Sequence, residues 1–356
     1  MSLKKTVKYD ILAIVYLLRN NNREFFCIHV YSLLRDISLV LYQLNKDIYK
    51  DKLIIHNDIK TIRHKVKLYQ KGKNDVLFTN VLDKCIDYFG DDIDNIGIYY
   101  RDGIVYGTTL YHVYVLLNTD ISDCNIKKLG ERVYAYSYIL GIYIQILSFS
   151  FGEGFYKIVG KKIKNKDRKV VSRINRRDIY NKDLFVHNDN RDLFLFRIII
   201  LLNEIYTSIW LYKKYGKNME ELTIESYIVF RFASIKIDEI FDALNNIKEY
   251  NNLLFQEFDK YSSGKISKIM HEYGEKYKDE IAFLRNKIHY NPNEQSMMDY
   301  LSSKILFNSN YGVNLFDEII NVYLESILLQ INSFIDFNRL KSMTYLEKVK
   351  IRMFKI

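Results

Sequence analysis

Breakers, staples and leader signals are scarce in this chain. One proline and 14 glycines among 356 residues leave few places where a turn is imposed locally, so long helices become the default. The three cysteines, Cys27, Cys85 and Cys124, are odd in number and widely spaced. That pattern excludes a disulfide framework and a paired-cysteine zinc site, and buried thiols among apolar neighbours are expected instead. Lys4, Lys5 and Lys8 are followed by an apolar segment interrupted by Asp10 and Arg19. No secretory signal has that form, and a cytoplasmic location is expected. The most apolar stretch, Val133 to Phe151, approaches the ~20 residues of a membrane span. It is nevertheless rich in Tyr and Ser and ends at Gly152-Glu153-Gly154, so a buried helix without membrane contact is expected. Other apolar runs are broken by Arg197, Asn203 and Glu204, or by Glu325 and Gln330.

What is present suits a globular protein. Hydrophobic residues make up 48% and charged residues 27%, enough apolar surface for real cores and too little charge for wholesale disorder. Ile, Lys, Asn and Tyr are used heavily throughout, so the 31 tyrosines carry no functional weight by themselves. The net charge of +10 is concentrated. Residues 157–177 hold Lys157, Lys161, Lys162, Lys164, Lys166, Arg168, Lys169, Arg173, Arg176 and Arg177 against Asp167 alone, which leaves the remainder close to neutral. Such a strip resists burial and attracts polyanions by counterion release, irrespective of sequence. It reads equally as a solvated interdomain linker.

The strip divides the chain. An N-terminal domain over residues 1–156 is predicted to be mostly helical, with the apolar spacing of Ile28, Tyr31, Leu34, Ile37 and Val40 marking one helix. Two β-prone runs flanking Asp102-Gly103 predict a hairpin near 95–108. After a basic linker over 157–190, helical patterns at 191–215, 223–249, 266–289 and 313–337, with a short helix at 293–307, predict a bundle over 191–342. Thr223 with Ser226, and Asn314 with Glu318, are candidate N-terminal signals. Turns are predicted at Tyr215-Gly216-Lys217-Asn218 and Ser262-Ser263-Gly264, and residues 343–356 form a tail. The fold class is therefore mainly α with one small hairpin.

The chemistry-bearing motif lies at the end of the third bundle pattern, in Arg285-Asn286-Lys287-Ile288-His289-Tyr290-Asn291-Pro292. Arg285 and His289 are four apart and would share a helix face. The sole proline would stop that helix just beyond, leaving His289 at its C-terminal end. An arginine that neutralises a phosphate beside a histidine that moves a proton near neutral pH suits RNA cleavage.

An Arg-Asn pair followed by His at the end of a long helix in a small bundle resembles the HEPN superfamily, whose motif is Arg, four to six residues, then His. Arg285 matches the arginine, Asn286 the polar follower and His289 the histidine. Here only three residues intervene; some subfamilies write this shorter form with Tyr after His, as in His289-Tyr290. The resemblance spans about residues 191–340. It implies a metal-independent endoribonuclease of a defence, abortive-infection or toxin type, needing no cofactor and no metal. The ribose 2′-hydroxyl would attack the adjacent phosphate, leaving a cyclic phosphate and a 5′-hydroxyl. It also implies a homodimer with a shared cleft and a regulatory partner or antitoxin. On this reading Arg285 clamps phosphate, Asn286 positions, His289 is the acid or base, and the basic strip guides RNA. The alternatives are a HEPN-type module that binds RNA or protein without cleaving, and a peripheral membrane or interaction protein using residues 133–151.

Other candidates are weaker. Arg23 and His29 have the family spacing, but Phe25, Phe26, Cys27, Ile28 and Val30 predict a core histidine. Gly154 to Gly160 before Lys161-Lys162 lacks the spacing and the hydroxyl of a phosphate loop. Asp91, Asp92 and Asp94 suit a solvated turn. His56, His64, His112, His187 and His271 form no ligand-like pair.

Overall fold

A computed structural model describes residues 2–19, 24–70, 95–116, 129–160, 174–186, 190–344 and 347. Helix α1 (Ser2–Leu18) leads, after a π-helical turn at Phe25–His29, to α2 (Val30–Asp47) and α3 (Asn57–Gln70). The hairpin follows as β1 (Asn95–Arg101) and β2 (Ile104–Thr108), then α4 (Thr109–Leu116), α5 (Leu129–Phe149) and α6 (Glu153–Gly160). Strand β3 (Asn175–Tyr180) and the short α7 (Asn181–Leu184) precede α8 (Asn190–Tyr215). The remaining helices are α9 (Ile224–Ile228), α10 (Ser234–Tyr250), α11 (Asn252–Tyr261), α12 (Lys265–Lys276), α13 (Lys278–Asn286), α14 (Met297–Phe307), α15 (Tyr311–Glu318) and α16 (Glu325–Ile335). π-helical turns at Val229–Ala233 and Ile319–Leu324 join α9 to α10 and α15 to α16. The protein is mainly α with a three-stranded antiparallel sheet ordered β2-β1-β3.

Helix α8 is the axis. Twenty of its residues are buried, on every side, as expected of a helix that is apolar all round. The polar residues that interrupt its sequence have partners, although Asn203 Nδ2 is left without one. Arg197 donates to Asn251 Oδ1 at 2.7 Å, Asn203 Oδ1 accepts from Thr108 N at 3.1 Å, and Glu204 sits among cations. Phe25–Asp47 and Asn190–Asn218 are long and apolar enough to cross a membrane, and both are mostly buried inside the protein.

The hairpin forms where expected. Asp102 (φ 52°) and Gly103 (φ 78°) take the left-handed conformations that a two-residue turn needs. Gly107 is fixed by close approach, since a β-carbon there would meet Ile28 and Asn203 at 3.0 Å. The free edge of β2 is closed by Asn332 of α16, whose side chain bonds the Val105 amide and carbonyl.

Several expectations are corrected. Residues 175–180 of the expected linker form β3, pairing along β1 from Asn95–Tyr180 to Tyr100–Asn175. One apolar cluster includes Ile11, Leu34, Leu140, Leu202, Phe232 and Ile327. The helix expected over 266–289 breaks at Tyr277 (φ −129°), whose hydroxyl is drawn to Glu318. Thr223 and Ser226 make a reciprocal capping box, but Asn314 lies inside α15, which begins at Tyr311. Helix α5 is buried on one face only. Tyr136, Leu140 and Leu147 point inward, while Tyr134 (74% exposed), Tyr138 and Phe149 face out.

Candidate functional site

The motif sits where a helix end is pulled off its axis. Helix α13 stops at Asn286, and its last turn is tightened by Ile288 N to Arg285 O (3.2 Å) and His289 N to Asn286 O (3.0 Å). His289 therefore lies beyond the helix rather than on it, and Pro292 is not the stop. Tyr290 explains the departure. Its amide donates to Asp47 Oδ2 at 3.0 Å, and its hydroxyl donates to Asp10 Oδ2 at 2.6 Å. Asp10 is buried and held by Arg231 at 2.7 Å and by Tyr227 at 2.8 Å. A residue tied to both α1 and α2 cannot continue the helical path of α13. Leu284 and Ile288 are buried. Phe283 is exposed, and the Lys287 ammonium stands 4.6 Å from its ring centroid.

Bent in this way, the motif keeps His289 at the surface, with 57% of its side chain exposed. Its Nδ1 is 4.0 Å from Asp47 Oδ2, an ion-pair distance if the ring is protonated. Partial burial lowers the imidazole pKa from its ordinary value. Asp47 opposes that shift, while Arg285, Lys46 and Arg63 add to it. The shift favours the neutral imidazole, the form able to take a proton.

Arg285 is held from two sides. Its Nη1 donates to Asn286 Oδ1 at 2.9 Å, and its Nε lies 3.4 Å from Asp238 Oδ2. Burial, with Asp242 nearby, raises the Asp238 carboxyl to about 6, although Arg285 pulls the other way. A phosphate seated on Arg285 would compete with Asp238.

Sequence reasoning found Arg285, Asn286 and His289 but missed Lys46, Asp47 and Arg63. No local signal marks these three; they join the motif only through packing. Of the basic strip, Lys161, Lys162, Lys164, Lys166, Arg168, Lys169 and Arg173 lie outside the described residues. Arg176 is bonded to Asp178 at 3.2 Å, and Arg177 is bonded to Ser342 at 3.0 Å and to the Phe337 carbonyl. Both also face tyrosines across β1.

Arg23, Cys85, Cys124, Asp91, Asp92, Asp94 and His187 also lie outside the described residues. Cys27 is half-buried. His29 is fully buried and stacked on Trp210 at 4.3 Å, the core position expected. His112 is likewise buried, stacked on Tyr31, and lowered to about 3 by desolvation. Among the described residues no group of His, Cys, Asp and Glu is arranged to hold a metal ion. No family model, curated protein or solved structure matches the chain.

Proposed function

We propose that the protein is a metal-independent endoribonuclease of the HEPN type, with His289 as the proton-transfer group and Arg285 as the phosphate clamp. The observation that carries this reading is a surface histidine within 4.0 Å of Asp47, in the same turn-and-helix-end motif as an arginine held by Asn286 and Asp238. A neutral imidazole accepts the 2′-hydroxyl proton, and the 2′-oxygen then attacks phosphorus. The imidazolium then gives that proton to the departing 5′-oxygen, leaving a cyclic phosphate and a 5′-hydroxyl with the imidazole neutral again. The surrounding cations offset charge that builds on the phosphoryl oxygens. Asn286 positions the guanidinium, and Asp47 steadies both the Tyr290 amide and the imidazole. Two copies meeting at this face would double the cation count in one cleft. A defence role, with a regulatory partner to restrain a toxic activity, is the setting that the motif suggests.

The test is incubation with RNA and with DNA of the same sequence, in EDTA. RNA alone should be cut, leaving cyclic phosphate and 5′-hydroxyl ends; equal cutting of DNA would refute the mechanism.

A second reading has its own observation. The outer face of α5 exposes Tyr134, Tyr138, Ile142, Ile146 and Phe149, and beside it an apolar cavity of about 470 Å³ is lined by Val15, Phe25, Val133 and Ile144. A contiguous exposed apolar face marks an interaction surface, and Lys157 nearby suits an anionic bilayer. Flotation with anionic vesicles, lost on Tyr138→Ser with Phe149→Ser, would support peripheral membrane attachment.

A further inference from the structure

At the opposite end of α2 from Asp47 lies a second cavity, of about 430 Å³, within the ~300–1,000 Å³ range of small-molecule sites. Arg101 and Tyr106 of the hairpin form one wall, and Tyr206, Trp210 and Lys213 of α8 form another. Glu24 lines it from the start of the Phe25–His29 turn, and Leu328 of α16 closes the far side. We propose that this cavity binds a guanine nucleotide.

The lining supplies three complementary features. Tyr106, Tyr206 and Trp210 give it an aromatic lining, in which Tyr106 and Tyr206 pack on each other at 4.2 Å and Trp210 has one face on His29; an aromatic lining takes a base without regard to its edge. Glu24 is 6% exposed and supplies a carboxylate, an acceptor-only group. Guanine is the common base that offers adjacent ring and exocyclic N–H donors to such an acceptor. Arg101 and Lys213 supply the positive charge for a phosphate. The Arg101 guanidinium is 5.1 Å from the Tyr106 ring and donates to the Tyr206 hydroxyl at 3.2 Å. Tyr206 in turn donates to Glu24. Lys213 is 58% exposed and pairs with Glu325 at the rim.

The surroundings point to a binding site rather than a packing gap. Behind Trp210, the buried His29 has Nδ1 3.1 Å from Thr207 Oγ1. Its Nε2 has no hydrogen-bond partner and lies 3.7 Å from Glu24 Oε1. An unsatisfied nitrogen beside a buried carboxylate is costly in a region that serves only stability. Two of the π-helical turns, Phe25–His29 and Ile319–Leu324, also flank the cavity, and such turns recur at functional sites. Helix α2 places it ~27 Å from Asp47, so this site does not rest on the nuclease reading.

Trp210 is the only tryptophan of the chain, which makes the test direct. The intact protein is titrated with guanosine monophosphate while its intrinsic fluorescence is followed, with calorimetry reading the same titration should the indole be silent. Saturable binding is expected. Cytidine monophosphate, guanosine and inorganic phosphate should each bind at least ~10-fold more weakly. Arg101→Gln and Lys213→Gln, both at partly exposed positions, should each weaken guanosine monophosphate about 10-fold with an unchanged far-UV spectrum. Absence of binding by both readouts, equal affinity for cytidine monophosphate, or full affinity in both cavity variants would overturn the proposal.

Discussion

Helix α2 carries two assemblies of the same residue types, and they are built to opposite rules. At its middle, Arg35 and Asp36 meet Glu204 of α8 and Lys236 and Glu239 of α10 in a sealed network. Arg35 Nη1 is 2.8 Å from Glu204, and Lys236 Nζ is 2.6 Å from Asp36 and 2.8 Å from Glu204. Glu239 also binds Arg35, and Ser32 and Tyr111 bond Glu204. Two cations face three carboxylates. Burial lifts Glu239 to about 8, while Arg35 and Lys236 hold Glu204 down at about 2 despite its burial. With Glu239 protonated, the charges match. At the C-terminal end of the helix, Lys46 and Asp47 lie by His289, and Arg285 of the same motif is held by Asp238. The dry network organises the fold; in the second assembly an outside anion would have to compete with Asp47 and Asp238 for the cations.

The largest effect expected is on the sealed side. Arg35→Met leaves buried carboxylates with Lys236 alone and should cost about 3–5 kcal/mol of stability, read as a lower midpoint in chemical denaturation. On the open side, Arg285→Ala should leave the midpoint nearly unchanged and lower RNA cleavage about 10²–10³-fold. If the two substitutions exchanged these outcomes, the contrast would be wrong. Arg63→Ala is a milder probe: RNA binding should weaken a few-fold, with the slope of log K against log salt reduced by ~0.7.

The smallest effect sharpens the sealed network. Glu239 has its folded pKa raised to about 8 from 4.5. The native state therefore holds a proton that the unfolded chain releases between those values, and this group's contribution to stability falls as pH rises from 4.5 to 8. Glu239→Gln should flatten that decline at little cost near pH 5, as measured by denaturation across the range. Glu204 is shifted the other way, so its contribution is present above pH 4.5 and lost as pH falls towards 2.

Local signals carried much of the fold. The hydrophobic run of α8, the Asp102-Gly103 turn and the Thr223–Ser226 capping box each specify their own structure within a few residues. What escaped was set by distant partners. Strand β3 is rich in arginine and asparagine, and it forms because β1, some 80 residues earlier, offers an edge. The break at Tyr277 follows Glu318, and the bend after Asn286 follows Asp10 and Asp47. The candidate site divides in the same way. Arg285, Asn286 and His289 were legible as a motif, but Lys46, Asp47 and Arg63 reach it only once α2 and α3 are packed beside α13.

The central claim is that the second assembly does chemistry through His289. The most direct measurement is RNA cleavage in EDTA by wild type and by His289→Ala, across pH 5–8. The account predicts RNA cutting by the wild type that weakens as pH falls through a value below 6.5, where the imidazole protonates. It also predicts a loss of about 10²–10⁴-fold in the variant. Undiminished cleavage by purified His289→Ala would contradict it.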